Sequence, residues 1–197
     1  MPGGTTARFP GFVGPRFEPG KGVLCMGHVH RFLPDADDIE GGRLEAVESA
    51  VLAWRARGRS EANDVAFLRD SRAAYLTSAP TWDYWKRNYE PLLRKARVPL
   101  EEVAFANVAK CRTATEDDSA ASMRIARVCS AAFPPSELVR LLRPAAVLLA
   151  SLRLDVGDVG DVRLVRWNGR TGVDERGYTM NNWIEIEAAR LHRIRAR

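Results

Sequence analysis

The chain has 197 residues, 46% of them hydrophobic, enough to bury one core, so a single domain is expected. Thirty Lys and Arg against twenty-five Asp and Glu leave a net charge of +5, which permits a polyanionic partner without requiring one. Three cysteines with no apolar leader before them argue against a disulfide framework and for a reducing cytoplasm, and no apolar run approaches the roughly 18 residues of a membrane span.

Residues 1–20 carry Gly, Pro and Phe without an apolar h-region and read as a loose N-terminal arm ahead of one α/β domain over 21–197. Gly22-Val23-Leu24-Cys25-Met26-Gly27 is a short apolar run closed by glycine, as in a buried strand whose end turns sharply. His28-Val29-His30-Arg31-Phe32 follows at once as a functional loop, or as a plain junction with solvated histidines. After an acidic, glycine-rich stretch, Leu44, Val47, Val51 and Trp54 recur at helical spacing over 43–57, and Gly58 stops that helix. A second helix is expected over 63–76 with Val65, Leu68, Ala73 and Leu76 inward. Thr81 then caps a helix bearing Trp82, Trp85, Tyr89 and Leu92 or Leu93, an aromatic group that serves as core, as a cleft wall or as a stacking platform.

Residues 103–108 read as a strand, and its continuation becomes abruptly polar: Asn107, Lys110, Cys111 and Arg112. In an open α/β sheet, ligands bind beyond the carboxyl ends of the strands, so this tail points at a site. An acidic loop at 115–119 leads to a helix over 120–131, and Pro134-Pro135-Ser136 restarts a helix carrying Leu138, Leu141 and Leu142. Residues 144–151 form a third buried strand. Residues 161–167 alternate polar with apolar as a fourth, edge strand, and the turn Asn168-Gly169-Arg170-Thr171-Gly172 follows. The last residues, 185–197, are helical in period and basic through Arg190, His192, Arg193, Arg195 and Arg197, which is a solvated helix face or a DNA contact. Strands alternating with helices predict a three-layer α/β/α sandwich around a mostly parallel four-stranded sheet.

The segment Asn107-Val108-Ala109-Lys110-Cys111-Arg112, a following helix with Cys129, and the strand Arg143-Pro144-Ala145-Ala146-Val147-Leu148-Leu149 together resemble the middle of the uracil-DNA glycosylase superfamily. The resemblance is strongest to its thermophile-type branch and covers about residues 100–151. It implies a cytoplasmic, monomeric DNA glycosylase that flips a damaged or modified pyrimidine out of the stack and hydrolyses its N-glycosidic bond. On that resemblance Asn107 reads the pyrimidine edge, for which an amide offers both a donor and an acceptor. Lys110 and Arg112 contact the DNA backbone. For Asn107 the alternative is a turn residue that satisfies local backbone.

Two motifs depart from the family. Where members place Asp, Asn or Glu after the first strand to position water, this chain has Val29, which leaves His28, His30 and Asp35 as candidates, or none of the three. Phe32 stacks on the extruded base or belongs to the core. The family's His-Pro-Ser segment is replaced by Trp167-Asn168-Gly169-Arg170-Thr171-Gly172, in which Asn168 and Arg170 suit phosphate. Specificity is therefore expected to shift from plain uracil, towards larger or hypermodified bases such as those of phage DNA. Cys111 and Cys129 match the last two of the branch's four cluster-binding cysteines, but no N-terminal pair precedes them, so no iron–sulfur cluster and no other cofactor or metal is expected. A non-catalytic nucleic-acid-binding module and an N-glycosidase on free nucleosides are the competing functions.

Overall fold

The computed structural model describes residues 11–31, 56–57, 60–70, 89–113, 135–149, 156, 158–160, 162–166 and 179–196; side chains are described for all of these except 28–31, 70, 108–113, 166 and 180. The elements are β1 (Phe12–Val13), β2 (Val23–Arg31), α1 (Glu61–Asp70), α2 (Glu90–Lys95), a short 3-10 turn (Leu100–Glu102), β3 (Val103–Thr113), α3 (Pro135–Leu142), β4 (Ala146–Leu149), β5 (Arg163–Arg166) and α4 (Met180–Arg195). The fold is α/β. The expected helices over 43–57 and 120–131 and the Thr81 cap fall outside or almost outside the described residues.

Five strands form one sheet in the order β1-β3-β2-β4-β5. The four strands β2 to β5 are parallel, and β1 adds an antiparallel edge to β3. Among the described residues the sheet therefore has five strands, one more than the expected four. The parallel connections run from β2 outward to β3, then back across β2 to β4 and on to β5, so the direction of winding reverses at β2. Ligands bind at such a reversal, beyond the carboxyl ends of the strands.

The apolar runs of β2, β3 and β4 are buried on both faces, as parallel strands flanked by helices must be. On one face Val23, Cys25, Val103, Phe105, Ala146, Leu148 and Val165 pack with Tyr89, Leu92 and Leu93 at α2 and with Trp183, Ala188 and Leu191 of α4. On the other, Leu24, Met26, Ala104, Val147 and Leu149 pack with Leu68 of α1 and with Val139 and Leu142 of α3. The expected inward position of Leu68 is observed, as is the start of α3 at Pro135.

The arm is a correction. Its described half, residues 11–20, is tied to the sheet: Phe12 pairs with Phe105, Val13 pairs with Ala104, and Phe12, Val13 and Phe17 are buried. Burying an apolar side chain of this size contributes about 1.5–3 kcal/mol, which helps to offset the backbone entropy lost when the segment is ordered. Gly11 permits the approach, because its φ of +96° is in the left-handed region and a Cβ there would overlap the Phe105 carbonyl oxygen.

The strand ends differ as well. β2 does not stop at Gly27 but continues to Arg31, and β3 continues past Val108 to Thr113. The two polar tails satisfy each other's backbone groups, so neither has to become a loop. The basic tail begins earlier than its periodicity indicates. α4 starts at Met180, where Thr179 and Asn182 form a reciprocal capping box.

Candidate functional site

Among the described residues β4 pairs with β2 through Met26, opposite Leu149. Beyond that point β2 and β3 run on side by side through Gly27↔Asn107, Val29↔Ala109, His30↔Arg112 and Arg31↔Thr113. Between Val29 and His30 the register shifts, and β3 accommodates Lys110 and Cys111 where β2 has no matching residue. An irregularity of this kind bends a strand and re-aims its side chains, and such features are common next to active sites.

Asn107 is the one described polar side chain buried in this part of the sheet, at 6% exposure. It follows Phe105 by two residues and so lies on the same face of β3. A Cβ built on Gly27 would overlap Asn107 Oδ1 and sit 3.1 Å from Phe105 Cζ. The carboxamide thus lies over the backbone of β2 in space that any other residue would fill. From the sequence, Gly27 is expected to allow a sharp turn at the strand end. Instead the strand continues, and the glycine makes room for an amide.

Beneath the amide is an aromatic floor. The Phe105 ring stacks on Phe12 with centroids 6.0 Å apart and meets the edge of Tyr89 at 5.8 Å. The Tyr89 hydroxyl donates to the Met26 carbonyl, one residue before Gly27. Tyr89, expected only as one of several aromatic core residues, therefore reaches the site through the backbone of β2. Cys25 lies on the same face and is fully buried. Burial pushes its thiol well above the usual range, so it is held protonated and is no nucleophile.

Five residues singled out from sequence, His28, His30, Asn107, Lys110 and Arg112, lie on the neighbouring strands β2 and β3, and the register sets His30 opposite Arg112. His28 and His30 stand in a paired strand and not in the expected loop, because β3 extends alongside them. Phe32, Asp35, Asn168 and Arg170 lie outside the described residues, as does Cys129. β5 ends at Arg166, level with Leu149, and the described chain resumes at Thr179. Among the described residues no group of three or more His, Cys, Asp or Glu could hold a metal ion, and no helix is long and apolar enough to cross a membrane.

The basic tail faces the other way. Arg195 is paired with Glu102 and donates to the Lys21 carbonyl at 3.2 Å, both just ahead of the strands that follow them. The C-terminal end of α4 is therefore pinned at the amino-terminal edge of the sheet, opposite Asn107. Arg190 Nη1 donates to both carboxylate oxygens of Glu187 at 2.8 and 3.0 Å. A groove of about 630 Å³ lined by Ser136, Arg140, Arg143, Asp158 and Val162 also lies towards the amino-terminal ends of β4 and β5 and does not join the amide. Compared with protein-family models, curated proteins and solved structures, the chain matches none.

Proposed function

We propose that this chain is a DNA glycosylase on a three-layer α/β/α sandwich similar to that of the uracil-DNA glycosylase superfamily. It extrudes a damaged or modified base, with Asn107 as the base-reading amide, and hydrolyses the bond between base and sugar. The observation that carries the reading is the buried carboxamide of Asn107 on a parallel strand, at the point where its apolar run ends, beside the strand at which the winding reverses. An amide held there in an apolar setting offers a base edge a donor and an acceptor at low competition from water.

Lys110 and Arg112 follow on the same strand and supply phosphate contacts that hold the strained backbone, with Asn168 and Arg170 as further contacts. The leaving base develops negative charge, and the sugar becomes cation-like. A histidine next to it can position water as the neutral imidazole or stabilise the base as a cation, which gives His28 and His30 their role, with Asp35 as the carboxylate alternative. Phe32 follows β2 and stacks on the extruded base. Altered first and second motifs direct the activity to larger or hypermodified bases. The protein acts as a cytoplasmic monomer without a cofactor.

The test is a panel of oligonucleotides carrying uracil, hypoxanthine or modified cytosines, incubated with the protein and treated with alkali to cleave abasic sites. Scission by the wild type that is lost in Asn107→Ala supports the reading. DNA binding without scission on every base sinks it. That outcome favours a second reading, a nucleic-acid-binding module of the same fold. One observation speaks for the module: His28 and His30 belong to a paired strand and not to an open loop that could close on water.

A further inference from the structure

We propose that the amino-terminal edge of the sheet, at the far end of the strands from Asn107, is an interaction surface for the phosphate backbone of a nucleic acid, contacted by Arg94, Arg97, Arg140 and Arg143. Three helices finish at this edge. α2 ends at Lys95, ahead of the turn into β3, and α3 ends at Leu142, just ahead of β4. α4 is pinned there through Arg195, and the N–H of Gly20, ahead of β2, donates to the Arg143 carbonyl at 2.6 Å. α3 lies on one face of the sheet and α2 with α4 on the other, so the two pairs of arginines flank the edge.

The acids of this edge are taken by other cations: Glu18 by Lys21, Glu101 by Arg16, Glu102 by Arg195 and Glu185 by Lys95. Arg94, Arg97, Arg140 and Arg143 are exposed and make no ion pair among the described residues, so the charge left over is positive. Glu90 and Glu137 share a groove with one pair or the other, but they stand in the first turns of their helices, away from the edge. Asp158 accepts from the Gly160 N–H at 2.8 Å.

Basic residues in the last turn of a helix complement its dipole, which accounts for Arg94 and Arg140. It does not account for Arg97 and Arg143. Their φ angles are +56° and +47°, and they are the two non-glycine residues with positive φ among the described residues. Glycine is the usual residue where a helix ends in this conformation, because a Cβ is strained there. An arginine kept at both helix ends against that preference points to a use of the guanidinium itself, whose planar fork matches phosphate oxygens. A protein partner would favour an apolar centre, yet the large exposed apolar side chain among the described residues is Ile186, in the middle of α4. The surface does not rest on reading Asn107 as the base-binding group.

The experiment compares the full chain with Arg97→Gly, Arg143→Gly, the double variant and Arg16→Gln. Fluorescence anisotropy on a labelled duplex of unmodified DNA over a range of salt concentrations is paired with thermal melting. The slope of log affinity against log salt is expected to become shallower by about one for each glycine and about two in the double variant. Melting temperatures of the glycine variants are expected to equal or exceed that of the wild type, because glycine adopts the left-handed conformation freely. An unchanged slope, or a wild type without affinity for DNA, overturns the proposal. So does a clearly lower melting temperature in the glycine variants, since the arginines then serve the fold. Arg16, already paired with Glu101, controls for charge: an equal change in Arg16→Gln would mean that net charge alone sets the slope, which also overturns it. A polyglutamate peptide is run alongside. Glycine variants that lose affinity for the peptide and not for DNA would make this a surface for an acidic protein segment and sink the nucleic-acid assignment.

Discussion

The hydroxyl of Tyr89 donates to the carbonyl of Met26, across the interior of one face of the sheet, at a residue of β2 that is paired with β3 on one side and β4 on the other. A side chain at the start of α2 thus ties the helical layer to the backbone of a central strand. Tyr89→Phe removes the donor and keeps the ring. It is expected to cost about 1–3 kcal/mol, the penalty for a buried acceptor left without its partner. Tyr89→Ala also removes the ring against Phe105 and is expected to cost about 3–5 kcal/mol. Urea unfolding of the three proteins checks both values. A Phe variant as stable as the wild type would show that the bond contributes nothing.

The pairing of Glu187 with Arg190 sets a dependence on pH. Glu187 is 1% exposed, and burial raises its carboxyl above the ordinary range although Arg190 and, more weakly, Arg163 of β5 act to lower it. An acid whose folded pKa is raised opposes folding when ionised, and that cost is relieved as pH falls through the folded value towards the unfolded one. Arg190→Ala strands the carboxylate and is expected to destabilise the fold at pH 7 by about 1–3 kcal/mol. The deficit should shrink on acidification, as Glu187 takes up a proton and no longer needs its partner. Denaturation of wild type and variant from pH 7 down to pH 4.5 measures it, and a deficit constant over this range argues against the mechanism.

Arg195 holds α4 to Glu102 and to the Lys21 carbonyl. Arg195→Ala should therefore lower stability, by about 1–2 kcal/mol for a charged hydrogen bond that is partly shielded from water, and leave affinity for DNA unchanged. Substituting Lys110 or Arg112 should do the reverse under the proposed function. Each should weaken binding to all sequences alike and reduce the salt dependence by about one phosphate contact. Thermal melts and fluorescence anisotropy at several salt concentrations separate the two classes.

Cys25 is expected to resist alkylation in the native protein and to react once the chain is unfolded, since its thiol is buried and held protonated. Mass spectrometry of the peptide containing Cys25, after iodoacetamide treatment with and without denaturant, distinguishes the two states. Labelling under native conditions would mean that β2 opens readily.

Much of this architecture is legible in the sequence, and its departures have identifiable causes. The runs at Val23 to Met26, Val103 to Ala106 and Ala146 to Leu149 declare buried parallel strands, because only a strand covered on both faces is continuously apolar. Beyond Met26 and Ala106 the sequences of β2 and β3 turn polar, and a polar run does not announce a buried strand. His28 and His30 thus read as loop although they belong to β2, alongside β3. The arm reads as loose because Phe12, Val13 and Phe17 stand among glycines and prolines, and the glycines are what let them reach β3. The start of α4 is written in Thr179 and Asn182, a polar pair that apolar periodicity passes over. Asn107 stands out in the sequence as the amide at which an apolar strand run turns polar. That Gly27 lies under its amide is not legible there, since contacts between strands depend on a register that no local pattern encodes.

The pairing of β1 with β3 bears on how the protein is made. Phe12 and Val13 leave the ribosome long before Phe105 and Ala104, the residues they must meet. Until β3 has been synthesised, this amino-terminal segment has no edge to join, and its apolar side chains stay open to other chains. Of the described strands β1 is thus the first to be translated, yet it cannot pair before β3. Chaperone occupancy on nascent chains should accordingly persist until residues beyond 105 have cleared the exit tunnel.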